Sequence, residues 1–133
     1  MQIDHIAIWT KDLENEKYFF LKYFECTANE KYVNTVKQFS SYFITFEGGL
    51  RIELMNRADI TAERAGENLG IAHLAINAGS REKVDRLTEI FERDGIIVVS
   101  KPRITGDGYY ESVILDPEGN KIEIMYETLN EGR

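Results

Sequence analysis

Short runs of alternating apolar and polar residues, interrupted twice by a helical rhythm, organise this chain. From Asp12 through Phe24 the apolar positions Leu13, Phe20, Leu21 and Phe24 fall near a helical period, and Thr10 or Asp12 stands where an N-cap belongs. A second helix is expected after Ser80, which caps a stretch carrying Val84, Leu87, Ile90 and Phe91 on one face; Gly95 ends it after Asp94. The other patterned segments read as strands: His5 to Ile8, Gln38 to Phe46, Arg51 to Met55, His73 to Ile76, Ile96 to Ser100, Tyr109 to Leu115 and Lys121 to Tyr126. A further strand near Glu30 to Val36 is weakly signalled. Glu47-Gly48-Gly49 and Asp116-Pro117-Glu118-Gly119-Asn120 are turn signals between the last two strands of each half. The polar stretch from Asn56 to Gly70 reads as a connection, in which Ala62-Glu63-Arg64-Ala65 has the makings of a helical turn.

The pattern occurs twice. His5-Ile6-Ala7-Ile8 and His73-Leu74-Ala75-Ile76 both read His-apolar-Ala-Ile, at an offset of 73 − 5 = 68 residues. Arg51-Ile52-Glu53-Leu54-Met55 and Lys121-Ile122-Glu123-Ile124-Met125 both read basic-Ile-Glu-aliphatic-Met, at an offset of 123 − 53 = 70. Two paired landmarks at nearly one offset mark an internal repeat. The expected architecture is α+β: two tandem β-α-β-β-β modules forming a cupped mixed sheet. One domain spans residues 1–133, with a first module over about 1–57, a linker over about 58–70 and a second module over about 71–128.

Neighbouring side chains in a strand point to opposite faces. Glu53, His73 and Glu123 are each flanked by apolar or small residues, and His5 lies between Asp4 and Ile6. With the aliphatic neighbours turned to the helices, all four polar side chains face the other side of their sheets. Two modules related by a pseudo-twofold axis then bring two imidazoles and two carboxylates together. The alternative is an ordinary open sheet face, on which Arg51 and Lys121, two residues before each glutamate, pair with the carboxylates across strands. Against it stands the count: the chain has 2 histidines, and both occupy the repeated first-strand slot. Converging carboxylates repel each other and lose hydration, and a divalent cation removes that cost. The donor set suits zinc, nickel, cobalt, manganese or iron(II).

Composition narrows the partners. The 133 residues suffice for one core, and the net charge of −7 repels phosphate backbones, which argues against nucleic acid. No apolar run approaches the ~20 residues of a membrane helix, and Met1-Gln2-Ile3-Asp4-His5 lacks the features of a signal peptide. The lone Cys26 has no internal disulfide partner. A cytoplasmic protein is expected. The apolar helix positions Phe19, Phe20, Tyr23 and Phe24, together with the sheet edges, call for cover and suggest a homodimer. The modules pair either within a chain or across the dimer.

The chain resembles the vicinal oxygen chelate superfamily, and within it glyoxalase I-like proteins. The resemblance rests on Asp4-His5-Ile6-Ala7-Ile8, on Ile52-Glu53-Leu54, on Ile71-Ala72-His73-Leu74-Ala75-Ile76, and most specifically on Leu115-Asp116-Pro117-Glu118-Gly119-Asn120-Lys121-Ile122-Glu123-Ile124. It implies paired β-α-β-β-β modules and a metal held by His5, Glu53, His73 and Glu123. Glutamate at both 53 and 123 is the glyoxalase I-like arrangement. The implied activity is that of a lactoylglutathione lyase-like enzyme: a lyase or isomerase that chelates vicinal oxygens of a small α-oxo or hemithioacetal-like substrate and moves a proton through an enediolate. Glu123 is the expected base and Glu53 its counterpart; nickel, zinc or cobalt is favoured over manganese or iron. Other implied readings are a dioxygenase or thiol transferase of the same fold, or a small-molecule-binding resistance protein. The chain departs from the glyoxalase I pattern at Trp9, where such enzymes carry an arginine for glutathione, and around Asn56 and Arg57, which stand near an expected asparagine. Both places bear on thiol recognition, so the substrate stays open. Thr105-Gly106-Asp107-Gly108-Tyr109-Tyr110 reads either as a pocket-lining loop with an aromatic pair or as a plain hairpin loop.

Overall fold

The computed structural model describes residues 1–130 and divides into two compact units, Met1–Arg64 and the chain from Ala65 onward. The division falls inside the expected linker. Each unit is a sheet carrying one helix.

In the first unit the order is β1 (His5–Trp9), α1 (Leu13–Tyr23), β2 (Cys26–Ala28), β3 (Tyr32–Asn34), β4 (Phe39–Phe46) and β5 (Arg51–Arg57). Helix α1 starts at Asp12, whose side chain accepts from the Asn15 backbone N–H. The sheet order is β1-β5-β4-β2, with β3 also on β4; β1 and β5 run parallel and the remaining pairs antiparallel. Alternation along the strands sends Tyr42, Ile44, Ile52 and Leu54 to the helix side, where with Leu13, Phe19, Phe20 and Phe24 they are buried. Cys26 is half-buried, its Sγ donates to the Phe20 carbonyl at 3.2 Å, and burial pushes its thiol up to about 11.

In the second unit the order is β6 (His73–Asn77), α2 (Arg81–Arg93), β7 (Val98–Ile104), β8 (Tyr109–Leu115) and β9 (Lys121–Glu127), closed by a 3₁₀ turn, Thr128–Asn130. The sheet order is β6-β9-β8-β7, with β6 and β9 parallel. Ser80 caps α2 by accepting from the Lys83 N–H at 3.2 Å, and Gly95, at φ 79°, follows the C-cap Asp94. Val84 and Phe91 of α2 are buried on the same side as Ile114, Ile122 and Ile124. In this core the Thr88 hydroxyl donates to the Val84 carbonyl at 2.7 Å and meets the Ser112 hydroxyl at 2.7 Å, so each buried hydroxyl has a partner.

The expected β-α-β-β-β order holds in the second unit. In the first, the edge position that β7 fills beside β8 is split between two three-residue strands, β2 and β3, both paired to β4. Strand β3 lies within the weakly signalled segment, and β2 lies before it. Strand β7 begins two residues later than expected and runs on to Ile104 through register shifts around Pro102, which an edge strand tolerates because the missing N–H faces no neighbour. The helical turn expected at Ala62-Glu63-Arg64-Ala65 is absent; the segment has no regular structure. No helix among the described residues is long and apolar enough to cross a membrane.

Candidate metal centre

The face of each sheet away from its helix carries the candidate ligands. In the first unit, register opposes His5 to Arg51 and Ala7 to Glu53 across the parallel β1–β5 pair, so His5 and Glu53 are diagonal neighbours on one face. His5 Nε2 lies 3.7 Å from Glu53 Oε1. In the second unit, His73 opposes Lys121 and Ala75 opposes Glu123 across β6–β9, the same diagonal. His73 Nε2 lies 3.1 Å from Glu123 Oε1. Two donors on one ion at about 2.0–2.2 Å stand about 3.0–3.4 Å apart. The second pair has that spacing, and the first needs a side-chain adjustment of a few tenths of an ångström. The nitrogen and oxygen donors are of the kind a divalent transition ion takes. Among the described residues no group of three or more His, Cys, Asp or Glu side chains is placed to hold a metal ion.

The surroundings of the two pairs differ. Asp4 accepts from His5 Nδ1 at 2.7 Å and from Arg51 Nη2 at 2.6 Å. These hydrogen bonds, from His5 first and Arg51 next, hold the Asp4 carboxyl below the usual carboxylate range. An ionised carboxylate only accepts, so Nδ1 is the donor in this contact, and the ring is turned with Nε2 toward Glu53. Phe43 sets its ring edge-on to His5 at 5.1 Å, and the Arg51 guanidinium lies 4.5 Å over that ring. In the second unit Ala72 stands where Asp4 would be, and Lys121 pairs with Glu67 instead.

Glu123 has a partner that Glu53 lacks. Glu111, on β8, is 9% exposed and is the diagonal neighbour of Glu123 across the β8–β9 pair. Burial first, then the nearby charge of Glu123, push the Glu111 carboxyl above its usual range, against the pull of Arg103. Sequence reasoning missed this residue, although the repeat held the signal: an offset of 111 − 41 = 70, the offset of the two glutamate ligands, aligns Glu111 with Ser41. The sequence likewise gives no sign that Asp4 holds the ring of His5.

Asn56, Arg57 and Tyr110 have partners of their own. The Asn56 side-chain amide points to the helix side and donates to the Thr10 and Lys11 carbonyls at 2.9 and 3.2 Å, tying down the loop into α1. Arg57 lies on the open face, its guanidinium 5.0 Å from the Trp9 ring centroid and its Nε 2.5 Å from Asp59. The Thr105–Tyr110 loop is a hairpin turn. The Tyr110 hydroxyl donates to Asp85 of α2 at 2.5 Å, so this tyrosine belongs to the helix side and not to the open face.

The sequence profile of the Glyoxalase/Bleomycin resistance protein/Dioxygenase superfamily matches residues 2–124. No curated protein matches the chain. Among solved structures, a glyoxylase/bleomycin resistance protein/dioxygenase domain from Frankia sp. EAN1pec is similar at 16% identity and TM-score 0.81, over 96% of this chain and 98% of that one. A glyoxalase family protein from Enterococcus faecalis is similar at 20% identity and TM-score 0.77, over 94% and 97%. Glyoxalase I from Zea mays is similar at 19% identity and TM-score 0.76, over 93% of this chain and 44% of that longer one. At these identities the likeness is one of fold. Matched over nearly its whole length, the chain belongs to the Glyoxalase/Bleomycin resistance protein/Dioxygenase superfamily.

Proposed function

We propose that this chain is a metal-dependent lyase or isomerase of the glyoxalase I type, with His5, Glu53, His73 and Glu123 as ligands of one divalent ion. Its substrate is a small α-oxo or hemithioacetal-like compound, in which a proton moves between neighbouring carbons. One observation carries the reading: a histidine and a glutamate stand side by side at equivalent positions on the open faces of both sheets. A plain surface ion-pair pattern does not call for histidine in both copies of the slot.

When bound, the ion supplies Lewis acidity toward two neighbouring substrate oxygens, which eases ionisation of the adjacent C–H. The chain's own groups do the rest. The imidazoles of His5 and His73 act as neutral donors. Glu123 takes the proton from one carbon and returns it to the next, with Glu53 as its counterpart across the repeat. Trp9 and the Asp59-paired Arg57 replace the polar groups that a glutathione site would call for, which favours another thiol or a thiol-free substrate. The reading includes a homodimer as the working unit in the cytoplasm.

Elemental analysis tests the first step, with nickel, zinc or cobalt at one ion per chain as the expected result. Methylglyoxal offered with a panel of thiols tests the second. Glu123→Gln is expected to keep the fold and most metal binding while turnover falls at least about 100-fold. Unchanged turnover in that variant refutes the base assignment. Iron as the native metal turns the reading toward a dioxygenase, and a chain that takes up no metal turns it toward a small-molecule-binding protein.

A further inference from the structure

Ionisable groups cross all four strands of the second sheet on its open face. Register sets Arg103 of β7 opposite Glu111 of β8. Glu123 of β9 is opposite Val113, which makes it the diagonal neighbour of Glu111. The line ends at His73 of β6, 3.1 Å from Glu123. Of its two carboxylates, Glu111 is the one withdrawn from solvent, at 9% exposure, and register sets it diagonally beside Glu123. A buried carboxyl beside a second carboxyl is costly in solvation and repulsion. The sheet itself does not demand it: Ser41 fills the equivalent slot of the first unit, with the same register to a methionine, Ser41 to Met55 and Glu111 to Met125.

We propose that Glu111 is a positioning residue that fixes the Glu123 carboxylate from behind, in the second module alone. This rests on the ligand and base role proposed above for Glu123. It separates the two glutamates of the repeat. Glu123 is gripped by Glu111, which itself faces Arg103, and so has a set position whether or not its front oxygens are engaged. Glu53 has only a serine at the corresponding place. The pseudo-symmetric pair is thereby made unequal, with the ordered carboxylate in the second module.

The test uses the full chain and cobalt(II) as probe. Glu111→Ser, which installs the first module's residue, is expected to change the visible absorption bands of bound cobalt(II) and to weaken its binding measurably, by no more than Glu123→Gln does. Glu111→Gln keeps the length and offers an N–H to Glu123, and is expected to stay within about threefold of the parent. Glu111→Asp keeps a carboxyl but withdraws it by one methylene, so it is expected to behave as E111S; it also serves where E111S fails to fold. A second arm needs no metal. In the metal-free protein the melting-temperature shifts of E111S and Glu123→Ala are expected to be non-additive by at least about 2 °C in the double variant. An additive cycle, or E111S and E111D with the parent's cobalt affinity and spectrum, overturns the proposal. If the parent chain binds no cobalt, the metal reading of Glu123 fails, and the metal-free cycle alone decides whether Glu111 holds it.

Discussion

A histidine that is to ligate through Nε2 works best with its Nδ1 proton engaged, because the partner fixes both tautomer and ring plane. Asp4 does this for His5 at 2.7 Å, and Arg51 at 2.6 Å fixes Asp4 in turn. Asp4→Asn keeps an acceptor at the site but removes the charge that orients the ring and raises its basicity. The expected outcome is about a 10-fold loss of metal affinity in a competitive chelator titration. Because Asp4 is largely exposed, the melting temperature of the metal-free protein should stay within about 1–2 °C. At this scale the sequence shows which face each ligand takes: alternation around Ile52-Glu53-Leu54 and Ile122-Glu123-Ile124 suffices for that. It does not show what stands next to a ligand in space. Glu111 is 12 residues from Glu123 in sequence, and only the β8–β9 register makes them neighbours. Asp4 precedes its histidine directly, yet nothing in the string tells whether that carboxylate turns back onto the ring or out to solvent.

The elements that could be read are those with their own punctuation. Asp12 and Ser80 are side-chain acceptors at the helix starts, and Gly95 provides the positive φ that ends α2. Strands β5, β8 and β9 begin where expected because a turn precedes or follows each of them. Strands β2 and β3 have three residues apiece, too few for alternation to register, and they exist because β4 offers them an edge. The far end of β7 is similar: Pro102 argues against a strand until the position proves to be an edge with a shifted register. The α2 cap gives a prediction that belongs to the element and not to the site. Ser80→Ala removes the acceptor for the Lys83 N–H and should cost about 1 kcal/mol of stability, read by urea unfolding. Metal affinity should be unchanged, since α2 lies on the side of its sheet away from His73 and Glu123. A matching loss of affinity would mean that helix and open face are coupled more closely than their separation by the sheet implies.

The repeat makes one strong demand on the molecule as a whole. If a single ion takes His5 and Glu53 together with His73 and Glu123, neither pair suffices alone, because two ligands bind a divalent ion weakly compared with four. The double variants His5→Ala/Glu53→Gln and His73→Ala/Glu123→Gln should then fail alike, although they alter different units. The readout is thermal. An ion present at 100 times its Kd stabilises a protein by about 2.7 kcal/mol, which for a chain of this size raises the melting temperature by about 10 °C. The parent chain should show that rise with one ion bound per chain, and a chelator should reverse it. Both double variants should melt at one temperature with and without metal. Had each unit its own ion, the parent would titrate with two, and each double variant would keep one ion and part of the thermal shift. Retained shift in either double variant therefore counts directly against a shared centre, and total loss in both is what one ion bound through both halves of the repeat requires.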